Sequence, residues 1–115
     1  MPRINAEPST ISEAVNRRFF VAIDALVSLK LVNSLAAFCN ASGLFSSRYR
    51  AMRLQYGQTP KVGYTSPYKN IEVVALCSMV ANYPISAAWL LTGRGEMLTN
   101  SRGKQSAQTK TIAAI

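Results

Sequence analysis

Histidine is absent from these 115 residues, and the acids are only Glu7, Glu13, Asp24, Glu72 and Glu96. Without imidazole, His-based general acid–base chemistry, Ser–His nucleophiles and most zinc sites lack their parts. The carboxylates are too scattered for a catalytic pair or a Mg²⁺ cage. No phosphate-cradling glycine loop is present either, so no enzyme, cofactor, metal site or small-molecule substrate is expected. Cysteine occurs only as Cys39 and Cys77, without CxxC spacing. Two reduced, buried thiols acting as small apolar residues are expected. The polar, proline-punctuated stretch Met1 to Ser9 lacks the apolar core of a signal peptide. The longest uncharged run, Val73 to Gly93, is broken by Asn82-Tyr83-Pro84 and carries Ser78 and Ser86. Two short buried helices explain it better than a bilayer span, so a soluble, cytoplasmic protein is expected.

Against the few acids stand thirteen Lys and Arg, for a net charge of +8. That balance favours a polyanionic partner through attraction to phosphates and release of their counterions. The imbalance is local as well: no acidic residue lies between Asp24 and Glu72.

At this length one domain with a real core is expected, over residues 10–98, behind a loose arm at 1–9 and before a disordered basic tail at 99–115. The all-α pattern predicts a compact bundle of four or five helices. Thr10-Ile11-Ser12-Glu13 fits a capping box, and Val15, Phe19, Ala22, Ile23, Leu26 and Leu29 repeat at helical spacing. A first helix over about 11–31 follows. Asn33 or Ser34 then caps a second helix that buries Leu35 and Phe38 and ends before Gly43, where a tight turn needs positive φ. A third helix is predicted over 46–55, with Cys39 as the small residue where the second passes close to it. The segment 56–69, with its glycines and prolines, is longer than the usual connection and is either functional or mobile. Its Lys61, Lys69, Tyr56, Tyr64 and Tyr68 suit contact with phosphate or a partner. Asn70 is placed to cap a fourth helix through Tyr83, with Leu76, Met79, Val80 and Tyr83 on one face and Pro84 as its stop. Ser86 caps a fifth, with Ile85 placed to staple against Leu90, Trp89-Leu90-Leu91 as apolar bulk, and Gly93 as the end.

The stretch from Phe38 to Arg53 reads as helix, turn, helix. Tyr49 and Met52 fall on one face of the second of these helices, while Ser46, Ser47, Arg48, Arg50 and Arg53 point elsewhere. A helix with an apolar back and a face of hydroxyls and guanidiniums suits the major groove of DNA.

The ordered set Leu35, Phe38, Cys39, Gly43, Leu44, Tyr49 and Met52 resembles the helix-turn-helix of the lambda-repressor/Cro-like group, the phage-repressor and XRE-like type. The run from Tyr83 through Trp89-Leu90-Leu91-Thr92-Gly93-Arg94-Gly95-Glu96-Met97 is similar to the closing helix of phage-type repressor domains. The resemblance covers about residues 11–98. It implies a bundle whose helix after the turn enters the major groove, with Ser46, Ser47, Arg48, Arg50 and Arg53 as DNA contacts; the composition of the loop, not the resemblance, adds Lys61 as a further candidate DNA contact. It also implies core roles for Trp89, Leu90 and Leu91 and turn roles for Gly93 and Gly95. Three positions depart from the pattern. Phe45 stands where a capping Ser, Thr or Asn is usual, so the cap shifts to Ser46. Ser42 replaces an aliphatic residue before the turn glycine, and the loop from Tyr56 is long.

The function expected is a sequence-specific DNA-binding transcriptional regulator, a phage or mobile-element type of repressor binding double-stranded DNA as a homodimer. Two rivals remain open: a protein-interaction module of antirepressor or antitoxin type whose helix-turn-helix does not touch DNA, and a non-specific architectural DNA-binding accessory protein. In the first, the arginines of the third helix are ordinary solvated side chains.

Overall fold

A computed structural model describes residues 8–99. The remainder of the expected arm (1–7) and tail (100–115) lies outside the described residues. The fold is all-α: α1 (Pro8–Ser28), α2 (Leu35–Ser42), α3 (Ser46–Tyr56), α4 (Val73–Asn82) and α5 (Ala87–Thr92). Among the described residues there is no β-strand beyond one isolated antiparallel bridge, Ile85 with Leu98. α1 packs on α3 and α5, while α2 packs on α3 and α4.

α1 starts earlier than the capping box predicts. Pro8 opens it, where a missing amide costs nothing, and Thr10 is already inside the helix. The Glu13 carboxylate therefore does not reach back to Thr10 but accepts from Arg17 at 2.7 Å. α1 also ends sooner, at Ser28. Leu31 N–H donates to the Leu26 carbonyl at 2.9 Å and Lys30 N–H to that of Val27 at 3.0 Å, a Schellman closure. The left-handed position of that closure is held by Lys30, at φ +63°. α2 closes the same way, Leu44 N–H donating to Cys39 and Gly43 adopting φ +74°. Its start is capped by Ser34, whose hydroxyl accepts from Ala37 N–H at 3.0 Å.

The core gathers Phe19, Phe20, Ile23 and Leu26 of α1, Phe38 and Cys39 of α2, Tyr49 and Met52 of α3, Met79 of α4, and Leu90. Phe19 makes edge contacts with Phe20 at 5.1 Å and Phe38 at 5.7 Å. Phe38 in turn meets Tyr83 at 5.5 Å. Ser42 is explained by α4: its hydroxyl shares a 2.6 Å hydrogen bond with Ser78.

Ser86 caps α5 by accepting from Trp89 N–H at 3.2 Å, and both Ile85 and Leu90 are buried. Trp89 is only half-buried against the core, and Leu91 stands 48% exposed, so neither is the full core residue expected. A six-residue helix turns one face inward, and Leu90 occupies it. Arg18 of α1 closes the far end, its Nε donating to the Leu90 carbonyl at 2.8 Å. Partial burial lowers the Arg18 pKa from its ordinary value. Gly93 sits beside it at φ +79°, where a Cβ would come within 3.1 Å of the Arg18 guanidinium.

α4 starts at Val73 with Glu72 as its N-cap residue, not at Asn70. Asn70 lies instead in the preceding loop, which hydrogen bonds tie to α1 and α3. Asn16, buried in α1, donates to the Lys69 carbonyl at 2.8 Å and accepts from Ile71 N–H. Gln55 accepts from the N–H of buried Ser66 at 2.8 Å, and Lys61 N–H donates to the Leu54 carbonyl at 2.7 Å. Cys39 is buried as expected, but Cys77 is exposed on α4.

The two left-handed turn positions give opposite expectations. Lys30→Gly relieves a conformation that costs a residue with a Cβ about 1 kcal/mol, so it should raise stability by up to about that amount. Gly43→Ala should lower stability by about 1–2 kcal/mol through conformation alone, since nothing lies within 4 Å of the added Cβ. Urea unfolding of the two variants checks both signs.

Candidate nucleic-acid interface

α3 is fixed by its inner face. Tyr49, Met52 and Tyr56 are buried, three and four residues apart on one side. The opposite stripe, Ser47, Arg50 and Leu54, is exposed. What sets the helix's rotation is Tyr49. Its ring tilts against Phe19 at 5.7 Å, and its hydroxyl donates to Glu72 Oε1 at 2.7 Å while accepting from Glu72 N–H at 3.2 Å. Burial first, and then the bond to the carboxylate, push the Tyr49 pKa well above its ordinary 10.0. Burial likewise pushes the Cys39 thiol up to about 11, which keeps it protonated and inert.

The structure separates the candidate side chains into two groups. Ser47 and Arg50 share the outward stripe, Arg50 making one long 3.4 Å hydrogen bond to the half-buried Ser46 hydroxyl. Lys61 is exposed, and its backbone bond to Leu54 places it beside the second half of α3. Arg48 and Arg53 turn away. Arg48 donates to the Asn70 carbonyl at 2.8 Å and lies over the Tyr68 ring at 4.9 Å and the Tyr49 ring at 5.9 Å. Its Nε is buried without a partner. Arg53 pairs with Asp24 at 3.0 Å, and the other carboxylate oxygen accepts from Gln58. Since both partners are over a third exposed, that pair is worth at most about 1 kcal/mol and a phosphate can compete for the arginine. Arg48 is held by three contacts at once, which makes it a latch for the loop.

The acid-free stretch is thus acid-free only in sequence. Asp24 and Glu72, the residues that bound it, both fold back onto α3.

The start of α3 holds a feature the spacing of polar residues does not signal. Phe45 is the N-cap residue and makes no side-chain cap bond, so the cap does not shift to Ser46. Its ring stands 82% exposed. The helix therefore opens without a side-chain cap beside a bare aromatic group, its Arg48 N–H donating to the Phe45 carbonyl at 3.2 Å. The one sequence clue is an aromatic residue where a polar cap is usual.

Among the described residues no group of three His, Cys, Asp or Glu could hold a metal ion, and no helix is long and apolar enough to cross a membrane. Compared with protein-family models, curated proteins and solved structures, the chain matches none of them.

The Tyr49–Glu72 link carries a pH signature. Because the folded pKa is raised, the stability it contributes is full below about pH 10 and is lost as pH rises above that value. Tyr49→Phe should cost about 1 kcal/mol at neutral pH and remove part of the alkaline slope. Denaturant unfolding from pH 7 to 11 reads both effects, and an unchanged slope in the variant would contradict the link.

Proposed function

We propose that this chain is a sequence-specific DNA-binding transcriptional regulator, a cytoplasmic repressor of phage or mobile-element type, that lays α3 in the major groove. The observation that carries the reading is the outward stripe of α3, with Ser47 and Arg50 exposed and the helix start uncapped. A long basic side chain one turn into a groove-entering helix reaches base edges, and Arg pairs bidentately with guanine O6 and N7. The uncapped start of α3, aided by the helix dipole, suits a backbone phosphate. Phe45 suits a thymine methyl. Lys61 adds a phosphate contact from the loop, and Arg53 joins once a phosphate displaces Asp24. Such contacts position the protein, whereas Arg50 and Phe45 select the site. Two copies on a two-fold site would double the number of base pairs read.

The second reading, a protein-interaction module, draws support from an exposed apolar face on α4 and α5, where Val73, Val74 and Leu91 stand bare. Retention on DNA separates the two.

Selection of bound sites from random duplex DNA should return one pseudo-palindromic sequence. On that sequence Arg50→Ala should relax preference at a single base pair by about 1–3 kcal/mol. Lys61→Ala should weaken all sequences alike and flatten the salt dependence. No retention of any duplex by the folded protein would favour the interaction module. Unchanged affinity in Ser47→Ala/Arg50→Ala would remove α3 from the mechanism.

A further inference from the structure

The loop after α3 makes one sharp turn. Tyr64 N–H donates to the Lys61 carbonyl at 3.1 Å, and Gly63 takes φ +80° at the third of the four positions. That is the pattern of a type II turn, which asks for glycine there. Both sides of the turn are tied to the last part of α3. Lys61 N–H donates to the Leu54 carbonyl at 2.7 Å, and Ser66 N–H to the Gln55 side chain at 2.8 Å. Leu54 ends the outward stripe that runs from Ser47 through Arg50. At the tip of the turn Val62 stands 98% exposed.

A single bare apolar side chain says little by itself; its setting says more. Gly63 adds no side chain beside Val62, and a Cβ there would meet nothing within 4 Å, so the tip is narrow and open. The ends of such a turn lie less than about 7 Å apart, and the minor groove of DNA is about 6 Å wide. Charge points to the same occupant. Residues 57–71 carry Lys61 and Lys69 and no acid, and Asp24, which reaches the loop at Gln58, is already paired with Arg53. One valine falls far short of the area a protein partner needs. Beside a lysine it fits a groove walled by phosphates.

We propose that the Lys61–Tyr64 turn is a second DNA-reading element, entering the minor groove next to the major groove that α3 occupies. The inference rests on the proposed DNA reading and adds base pairs that α3 does not touch. Leu54 lies about 6 Å beyond Arg50 along the helix axis, so the turn it holds meets the phosphate strand between the two grooves. Lys61 pairs with that strand and Val62 reaches the groove floor. There A·T and T·A pairs show only acceptors, while a G·C pair adds the guanine N2 amine. Valine offers that amine no partner and strips its water, so the amine blocks the tip and loses a hydrogen bond. The turn therefore selects A·T or T·A over G·C without telling the first two apart.

Replacing guanine by inosine removes the N2 amine and leaves the major-groove edge as it was, which isolates the turn from α3. The full chain is titrated with alternating inosine–cytosine and guanine–cytosine duplexes at one salt concentration. Wild type should favour the inosine duplex by at least about fivefold, the low end of what one disfavoured base pair costs. Val62→Ala, at a site too exposed to matter for folding, should bind the two nearly alike with helicity and Tm unchanged. Equal wild-type affinity for both duplexes overturns the proposal and leaves the DNA reading standing. A preference for inosine that persists in Val62→Ala also overturns it, because duplex flexibility or another residue then supplies the discrimination. Retention of neither duplex refutes the DNA reading and the turn's role with it.

Discussion

Tyr49 ties α3 both to α1 and to the head of α4. Its ring leans on Phe19 of α1, which itself meets Phe38 of α2, and its hydroxyl bonds both the carboxylate and the amide of Glu72 at the head of α4. Each aromatic contact adds about 0.5–1.5 kcal/mol beyond its buried area. The hydroxyl adds direction, which apolar packing alone does not supply. With Tyr49 fixed inward, helical geometry leaves no choice about what faces out: Ser47, Arg50 and Leu54 lie on the opposite side. The candidate reading surface is thus a consequence of where one phenol points.

The same constraint sorts the basic residues of α3. Arg48, next to Tyr49, falls to the side and spends its guanidinium on Asn70 and Tyr68. In doing so it fastens the loop that carries Lys61 and leads into α4. Arg53 falls on the side of α1 and meets Asp24. Only Arg50 is left outward among the three. Four of the five hydroxyl and guanidinium groups on this short helix therefore divide into a latch, a weakly held reserve and an outward stripe, and the fifth, half-buried Ser46, accepts from Arg50. The electrostatic case for a polyanion rests on Arg50, Lys61 and the releasable Arg53 rather than on the helix's total charge.

Much of the fold was legible because its punctuation is local. Ser34 and Ser86 cap, Gly43 and Gly93 turn, and Pro84 stops a helix through bonds and torsions spanning only a few residues. Most of the misreadings come from partners far along the chain, and that of Thr10 from the helix starting two residues earlier. Asn70 looks like a cap until Asn16, on α1, is seen bonding the loop beside it, at Lys69 and Ile71. Thr10 looks like a cap until Pro8 starts the helix before it. The sequence leaves the long loop open as functional or mobile because the residues that bond it, Gln55, Asn16 and Arg48, lie outside it. Cys77 and Leu91 read as buried because an uncharged run does not reveal whether its outer side has a cover. Within the site, the helix and its outward residues were legible from spacing. The diversion of Arg48 and Arg53 was not, since it depends on residues brought close only by folding.

The claim that α3 meets DNA with its Tyr49-defined outer stripe is tested most directly by following backbone amide resonances while a short DNA duplex is added. Even non-specific binding places the contacting helix against phosphates. The account predicts the largest changes at Phe45, Ser47, Arg50 and Leu54, with Lys61 following and Tyr49 and Met52 little moved. Changes centred on α4 and α5, with the outer stripe of α3 undisturbed at saturating duplex, would contradict it.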